Sequence, residues 1–164
     1  MPAVVLGVRP TPIRLLGQGP TEVALRAVGA VLGDDGPTVV AEDGLDARSG
    51  ADVRDRLGRG EAVLVLAQRP DAAPFYPVAG PIDEAPATGR RAALGSRAVG
   101  PGRLVFCQQR LARAAAAGDL VSCDLLSDLL AWVSEPRPLP TREALVKDDG
   151  RSLWRYSWDD ETRR

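Results

Sequence analysis

The spacing of apolar positions changes period several times along the chain, and each change marks an element. VVLGV (residues 4–8) is a β-branched run bounded by prolines at 10 and 12, which predicts a buried strand. From Thr21 the spacing lengthens. Ala24, Leu25, Val28, Val31 and Leu32 recur at helical intervals, Glu22 and Arg26 lie on the other face, and Gly33 stands where the helix should end. TVVA (38–41) reads as a second strand. Ser49 and Asp52 form a capping-box pattern before a helix carrying Val53 and Leu57. On its wet side Asp52 with Arg56 and Asp55 with Arg59 make i, i+4 pairs, and Gly58 and Gly60 close it. AVLVLA (62–67) is uniformly apolar, so it is expected to be covered on both faces as parallel strands are, and RLVFC (103–107) is the next strand. Leu120 to Val133 is the strongest helix, with Leu125, Leu126, Leu129, Leu130, Trp132 and Val133 on a broad apolar face. Asp124 and Asp128 are placed toward water, and prolines 136, 138 and 140 stop the helix.

Strands and helices alternating in this order predict an α/β fold: a doubly wound, mainly parallel sheet with helices on both sides. Residues 68–102, rich in proline, glycine and alanine, fit less well and hide either a short strand or a flexible excursion. Beyond Glu135 the chain is proline-rich and charged, yet SLWRYSW (152–158) sets Trp154, Tyr156 and Trp158 on one face of an extended strand. Those rings cover the chain's own core or dock a protein partner, with stacking on a sugar a third and weaker reading. A length of 164 residues fits one α/β domain over 1–134 followed by an extended C-terminal tail over 135–164.

Charge and composition then remove several function classes. Lysine plus arginine number 21 and aspartate plus glutamate 22, a formal charge of −1 that gives no bulk attraction to nucleic acid or to an anionic membrane. MPAVVLGVRPTP lacks the basic and long apolar regions of a signal peptide, and no later run approaches a membrane span. Cys107 and Cys123 sit among apolar neighbours without metal-knuckle spacing and read as reduced, buried thiols, which predicts a cytoplasmic protein. Histidine is absent. Serine and cysteine nucleophiles usually rely on an imidazole base, and zinc hydrolases on imidazole ligands, so this deficit argues against both classes. The expectation is no catalytic residue, no metal and no cofactor.

LDARSGADVRDRLGRGEAVLVLAQ (45–68), GPGRLVFCQQRL (100–111) and LLSDLLAWV (125–133) set a capped helix before a strand, then a glycine-led strand, then an amphipathic helix with tryptophan. Over roughly residues 20–134 this order resembles the class I glutamine-amidotransferase-like domain, in the non-catalytic version attached to bacterial glycoside hydrolases of the beta-galactosidase and beta-mannosidase type. The resemblance implies a flavodoxin-like or amidotransferase-like three-layer sandwich that serves as an interface or architectural domain, while sugar chemistry belongs to a separate barrel. Its partner would be a parent hydrolase domain, another protein or a second copy. Catalytic members carry a cysteine nucleophile in a glycine-flanked elbow with histidine and glutamate partners. Here Cys107 lies between Phe106 and Gln108 and no histidine exists, so those roles do not transfer.

In open α/β sheets ligands bind outside the carboxyl ends of the strands. Glu42, Gln68, Arg69, Gln108 and Gln109 fall at those ends and form a candidate ligand-binding set, since amides and a guanidinium suit hydroxyls or a carboxylate. They support an alternative function, a small-ligand-binding or weakly enzymatic domain. The same residues also suit strand ends that merely reach water. Cys107, behind Leu104, Val105 and Phe106, reads as a packed small hydrophobe. GQGPTE (17–22) lacks the third glycine of a dinucleotide fingerprint and the lysine of a P-loop, and reads as a tight connection. The acidic pairs, Glu42 with Asp43 among them, sit in turns and read as solvated loop charges rather than a glycosidase pair.

Overall fold

The computed structural model describes residues 12–78 and 94–134, together with the backbone of two further strands, Thr141–Val146 and Ser152–Ser157. Residues 4–8, expected as a strand, lie outside the described residues. The first described strand is β1, Pro12–Leu16. Its leading proline reads as a breaker in the sequence, but proline is tolerated as the first residue of a strand, where no ladder bond needs its missing N–H. Ile13 of this strand is fully buried.

Helix α1 covers Pro20–Ala27 and stops well short of Gly33. Gly29 adopts φ 83°, its N–H donates to the Arg26 carbonyl, and the Ala30 N–H reaches back to the Leu25 carbonyl. This paired bonding satisfies the last carbonyls of the helix and turns the chain out of it. Val31 and Leu32, expected to extend the helix, instead form the short strand β2 beside β1. Strand β3 is Thr38–Val40, helix α2 is Ala47–Gly58 and strand β4 is Ala62–Val65. The cap of α2 is Asp46, whose carboxylate accepts from the Arg48 and Ser49 N–H groups, while Ser49 supplies the reciprocal bond to the Asp46 N–H. Ser49 is therefore the third helical residue and not the cap. Arg56 pairs with Asp52 as its spacing predicts, and also with Glu61; Arg59 turns to Glu61 rather than Asp55.

After β4 come a 3₁₀ turn at Pro70–Phe75 and strand β5 at Leu94–Val99, so the loosely patterned region does contain a strand. Strand β6 is Gly102–Cys107, and α3 (Ala112–Ala116) and α4 (Leu120–Ser134) follow. On α4 Asp124 is exposed, whereas Asp128 is half-buried and its carboxyl is raised above the ordinary range by burial and by the charge of Asp124.

The six strands order as β2-β1-β3-β4-β6-β5, all parallel except the edge strand β5, which runs antiparallel to β6. The fold is α/β with helices on both faces. Ile13, Val39, Leu64 and Val105 point to the layer that holds Leu25, Leu126, Leu129 and Trp132. Val40, Val63, Val65, Leu104 and Phe106 point to the opposite layer, with Val53 and Leu57 of α2. Period-two alternation between two apolar layers explains why β4 and β6 read as unbroken apolar runs. Gly102 marks the tightest joint of the second layer, because a Cβ there would lie 2.6 Å from the Leu57 Cα. No helix among the described residues is long and apolar enough to cross a membrane.

The tail strands, β7 (Thr141–Val146) and β8 (Ser152–Ser157), pair antiparallel with each other in a separate two-stranded sheet. Trp154 and Tyr156 stand on β8, opposite Ala144 and Arg142, so the expected extended segment is present as backbone; Trp158 lies outside the described residues.

Candidate functional site at the carboxyl edge

The strand order reverses at β1, which has β2 on one side and β3 on the other, so the crevice between the carboxyl ends of β1 and β3 is the topological switch point of the sheet. Two connections shape it. The loop after β1 turns through Gly17 and Gly19, at φ 104° and 95°, and a Cβ on Gly17 would approach the Ala41 Cβ to 2.8 Å. GQGPTE is thus a tight connection pressed against the loop after β3. That second loop turns at Asp43, which adopts φ 55° and donates its N–H to the Ala67 carbonyl. Aspartate is among the few side chains that tolerate this left-handed region.

The polar residues expected to face a ligand are mostly engaged with the protein itself. Gln68, 5% exposed, accepts from the Leu45 N–H at 2.9 Å and donates to the carbonyls of Ala41 and Leu66 at 2.7 and 2.8 Å. Its own backbone N–H donates to the Gln108 side-chain oxygen at 3.0 Å, and the Gln108 amide donates to the Tyr76 hydroxyl at 3.3 Å. Burial pushes the Tyr76 hydroxyl well above its ordinary pKa, against the Gln108 hydrogen bond, so it stays protonated. The two glutamines join the ends of β3, β4 and β6 into one continuous chain of hydrogen bonds.

Glu42 does similar work on the other side of the crevice. One carboxylate oxygen accepts from the N–H groups of Leu111 and Ala112 at 2.7 and 2.8 Å, which seats the start of α3, and the Glu42 N–H donates to the buried Thr21 hydroxyl. Asp43 meets the Arg110 guanidinium in a two-pronged ion pair at 2.8 and 2.9 Å. That hydrogen-bonded contact holds the Asp43 carboxyl below its ordinary range against the opposing effect of burial, and it raises Arg110. Asp43 is therefore a structural anchor and not a solvated loop charge.

The structure brings Glu42, Gln68 and Gln108 together at one edge but commits each of them internally. Arg69 and Gln109 are exposed; the Arg69 guanidinium lies 3.6 Å from Asp71, and its backbone N–H bonds the Asp43 carboxylate. Sequence reasoning missed Asp43, Thr21 and Tyr76 as members of the edge. Arg110 lies three positions past Cys107 in the sequence, yet its partner is Asp43, 67 positions away. Cys107 itself is fully buried at the end of β6, and its thiol makes a long contact to the Gln109 carbonyl at 3.8 Å. It finishes a strand and is not displayed at an elbow.

Depressions among the described residues include two at this edge. A small one of about 180 Å³ lies over Gln68 and is lined by Asp46, Arg69, Asp71 and Phe75. A larger cleft of about 720 Å³ opens between the start of α1 and α3, above Glu42 and Asp43. Among the described residues no cluster of three or more histidine, cysteine or carboxylate side chains is arranged to hold a metal ion. No family model, curated protein or solved structure matches the chain.

Proposed function

We propose that the chain is a non-catalytic α/β accessory domain, of the amidotransferase-like type, that works by contact with a carbohydrate-active glycoside hydrolase. The observation that carries the non-catalytic part is the closed carboxyl edge. Gln68, Gln108 and Glu42 spend their hydrogen bonds on backbone groups and on Tyr76, and Cys107 has no solvent exposure, so the usual place for chemistry holds no accessible nucleophile with a base beside it. The hydrolase association is supported by the order and composition of 45–68, 100–111 and 125–133.

The alternative, a ligand-binding or weakly enzymatic domain acting through Glu42, Gln68, Arg69, Gln108 and Gln109, has less support, because three of those five side chains would have to abandon internal partners to meet a ligand. The test is co-expression with the barrel hydrolase encoded in frame with, or next to, this chain. Co-elution as a defined complex, with aryl-glycoside turnover only when the barrel is present, is the expected result. Turnover by the purified chain alone, lost on substituting one of its carboxylates, would overturn the proposal, as would a genome with no barrel hydrolase beside it.

A further inference from the structure

The larger cleft at the switch point has an uneven charge balance. Its floor is Glu42 and Asp43, but one Glu42 oxygen is taken by two backbone N–H groups and both Asp43 oxygens by Arg110. The side chain of Arg113, on the α3 wall, makes no ion pair or hydrogen bond among the described residues. The second Glu42 oxygen has Arg110 at 3.9 Å, so Arg110 is shared between the two carboxylates, and the exposed Arg113 guanidinium is left facing the cleft. Among the described residues Pro20, Ala114 and Ala117 supply the rest of the lining, small and apolar. The volume falls in the range of small-molecule sites, and the place is where ligands of open parallel sheets bind.

We propose that this cleft binds a small oxyanion, a carboxylate or phosphate on a compact organic body, held by the Arg113 guanidinium against the apolar wall of Pro20, Ala114 and Ala117. A planar guanidinium presents paired N–H donors that match two oxygens of such a group. Arg110, clamped by Asp43 and 3.9 Å from Glu42, offsets the carboxylates of the floor and leaves the Arg113 guanidinium to the ligand. The site uses none of the glutamines of the closed edge and does not depend on a hydrolase partner, so either proposal can fail without the other.

Calorimetric titration of the full chain with inorganic phosphate and with succinate, at constant ionic strength and with chloride as control, tests it. At least one of the two anions should give saturable binding to one site with a Kd below about 10 mM, and chloride none. Phosphate alone would identify phosphorylated ligands, succinate alone organic acids. Arg113→Gln should weaken binding at least tenfold, and Ala117→Glu, which places a carboxylate at the cleft mouth, should do the same. Arg48→Gln removes the same charge from the first turn of α2, against the opposite layer, and should change the Kd less than twofold. Thermal unfolding confirms that each variant is folded. No saturable binding of either anion, no effect of Arg113→Gln, or an equal loss from Arg48→Gln would overturn the site and leave Arg113 as a solvated surface charge.

Discussion

Replacing Gln68 with leucine removes the side-chain amide while nearly conserving volume, and its cost follows from the bonds it makes. The Leu45 N–H loses its acceptor and the Leu66 carbonyl loses its donor, whereas the Ala41 carbonyl keeps the Gly44 N–H at 3.0 Å. Two buried backbone groups are therefore orphaned. At about 1–3 kcal/mol for each, the substitution should cost about 3–4 kcal/mol, a large share of the stability of an ordinary domain. In a chain of this size that corresponds to a fall in Tm of roughly 10 °C. Urea unfolding followed by far-ultraviolet circular dichroism measures it directly, with Gln109→Leu as the exposed control near zero. Gln68→Glu should be worse at neutral pH, because a carboxylate would face the carbonyls of Ala41 and Leu66. Burial raises the pKa of the introduced carboxyl, so its penalty is fullest above that raised value and shrinks as pH falls through it. A Gln68→Leu variant within about 1 kcal/mol of the parent would refute the structural role of this amide.

Cys107 should resist a disulfide reagent in a Cys123→Ser background, reacting only at the rate of global unfolding, and a fast native-state reaction would show an accessible thiol. Asp43→Asn should cost under about 1 kcal/mol, because Arg110 in the pair is 54% exposed. Asp43 has a lowered folded pKa, so its contribution is present above the ordinary carboxylate range and lost as pH falls through the folded value; Tm curves of parent and variant should converge at acid pH, and divergence there would contradict the assignment. Gly102→Ala forces a Cβ against the Leu57 backbone and should cost about 3 kcal/mol or more, whereas Gly58→Ala, with open space around it, should cost little in the same unfolding assay.

The elements legible in the sequence are those whose signal is complete within one segment. β4, β6 and α4 carry continuous or broad apolar faces because both sheet surfaces are covered, and nothing distant has to be known to read them. β1 hides behind Pro12, and β2 hides in the helical spacing of Val31 and Leu32, which serves equally well for residues beyond a glycine-terminated helix. The carboxyl edge shows the same division. Glu42, Gln68 and Gln108 could be placed at strand ends, but whether they face a ligand or the protein depends on partners 69, 23 and 40 positions away. Such pairings come from the sheet order, and local pattern does not encode it.

Gln68, Gln108 and Glu42 close the carboxyl edge with their own side chains, and amide hydrogen exchange resolved by residue tests this most directly. The N–H groups of Leu45, Gln68, Leu111 and Ala112 each donate to a side-chain oxygen at that edge. They should exchange as slowly as the amides of β4 and β6, through unfolding of the whole domain. Exchange of these four amides at rates typical of open loops, with the strands still protected, would mean that the edge stands open and that its glutamines and glutamate are available to a ligand.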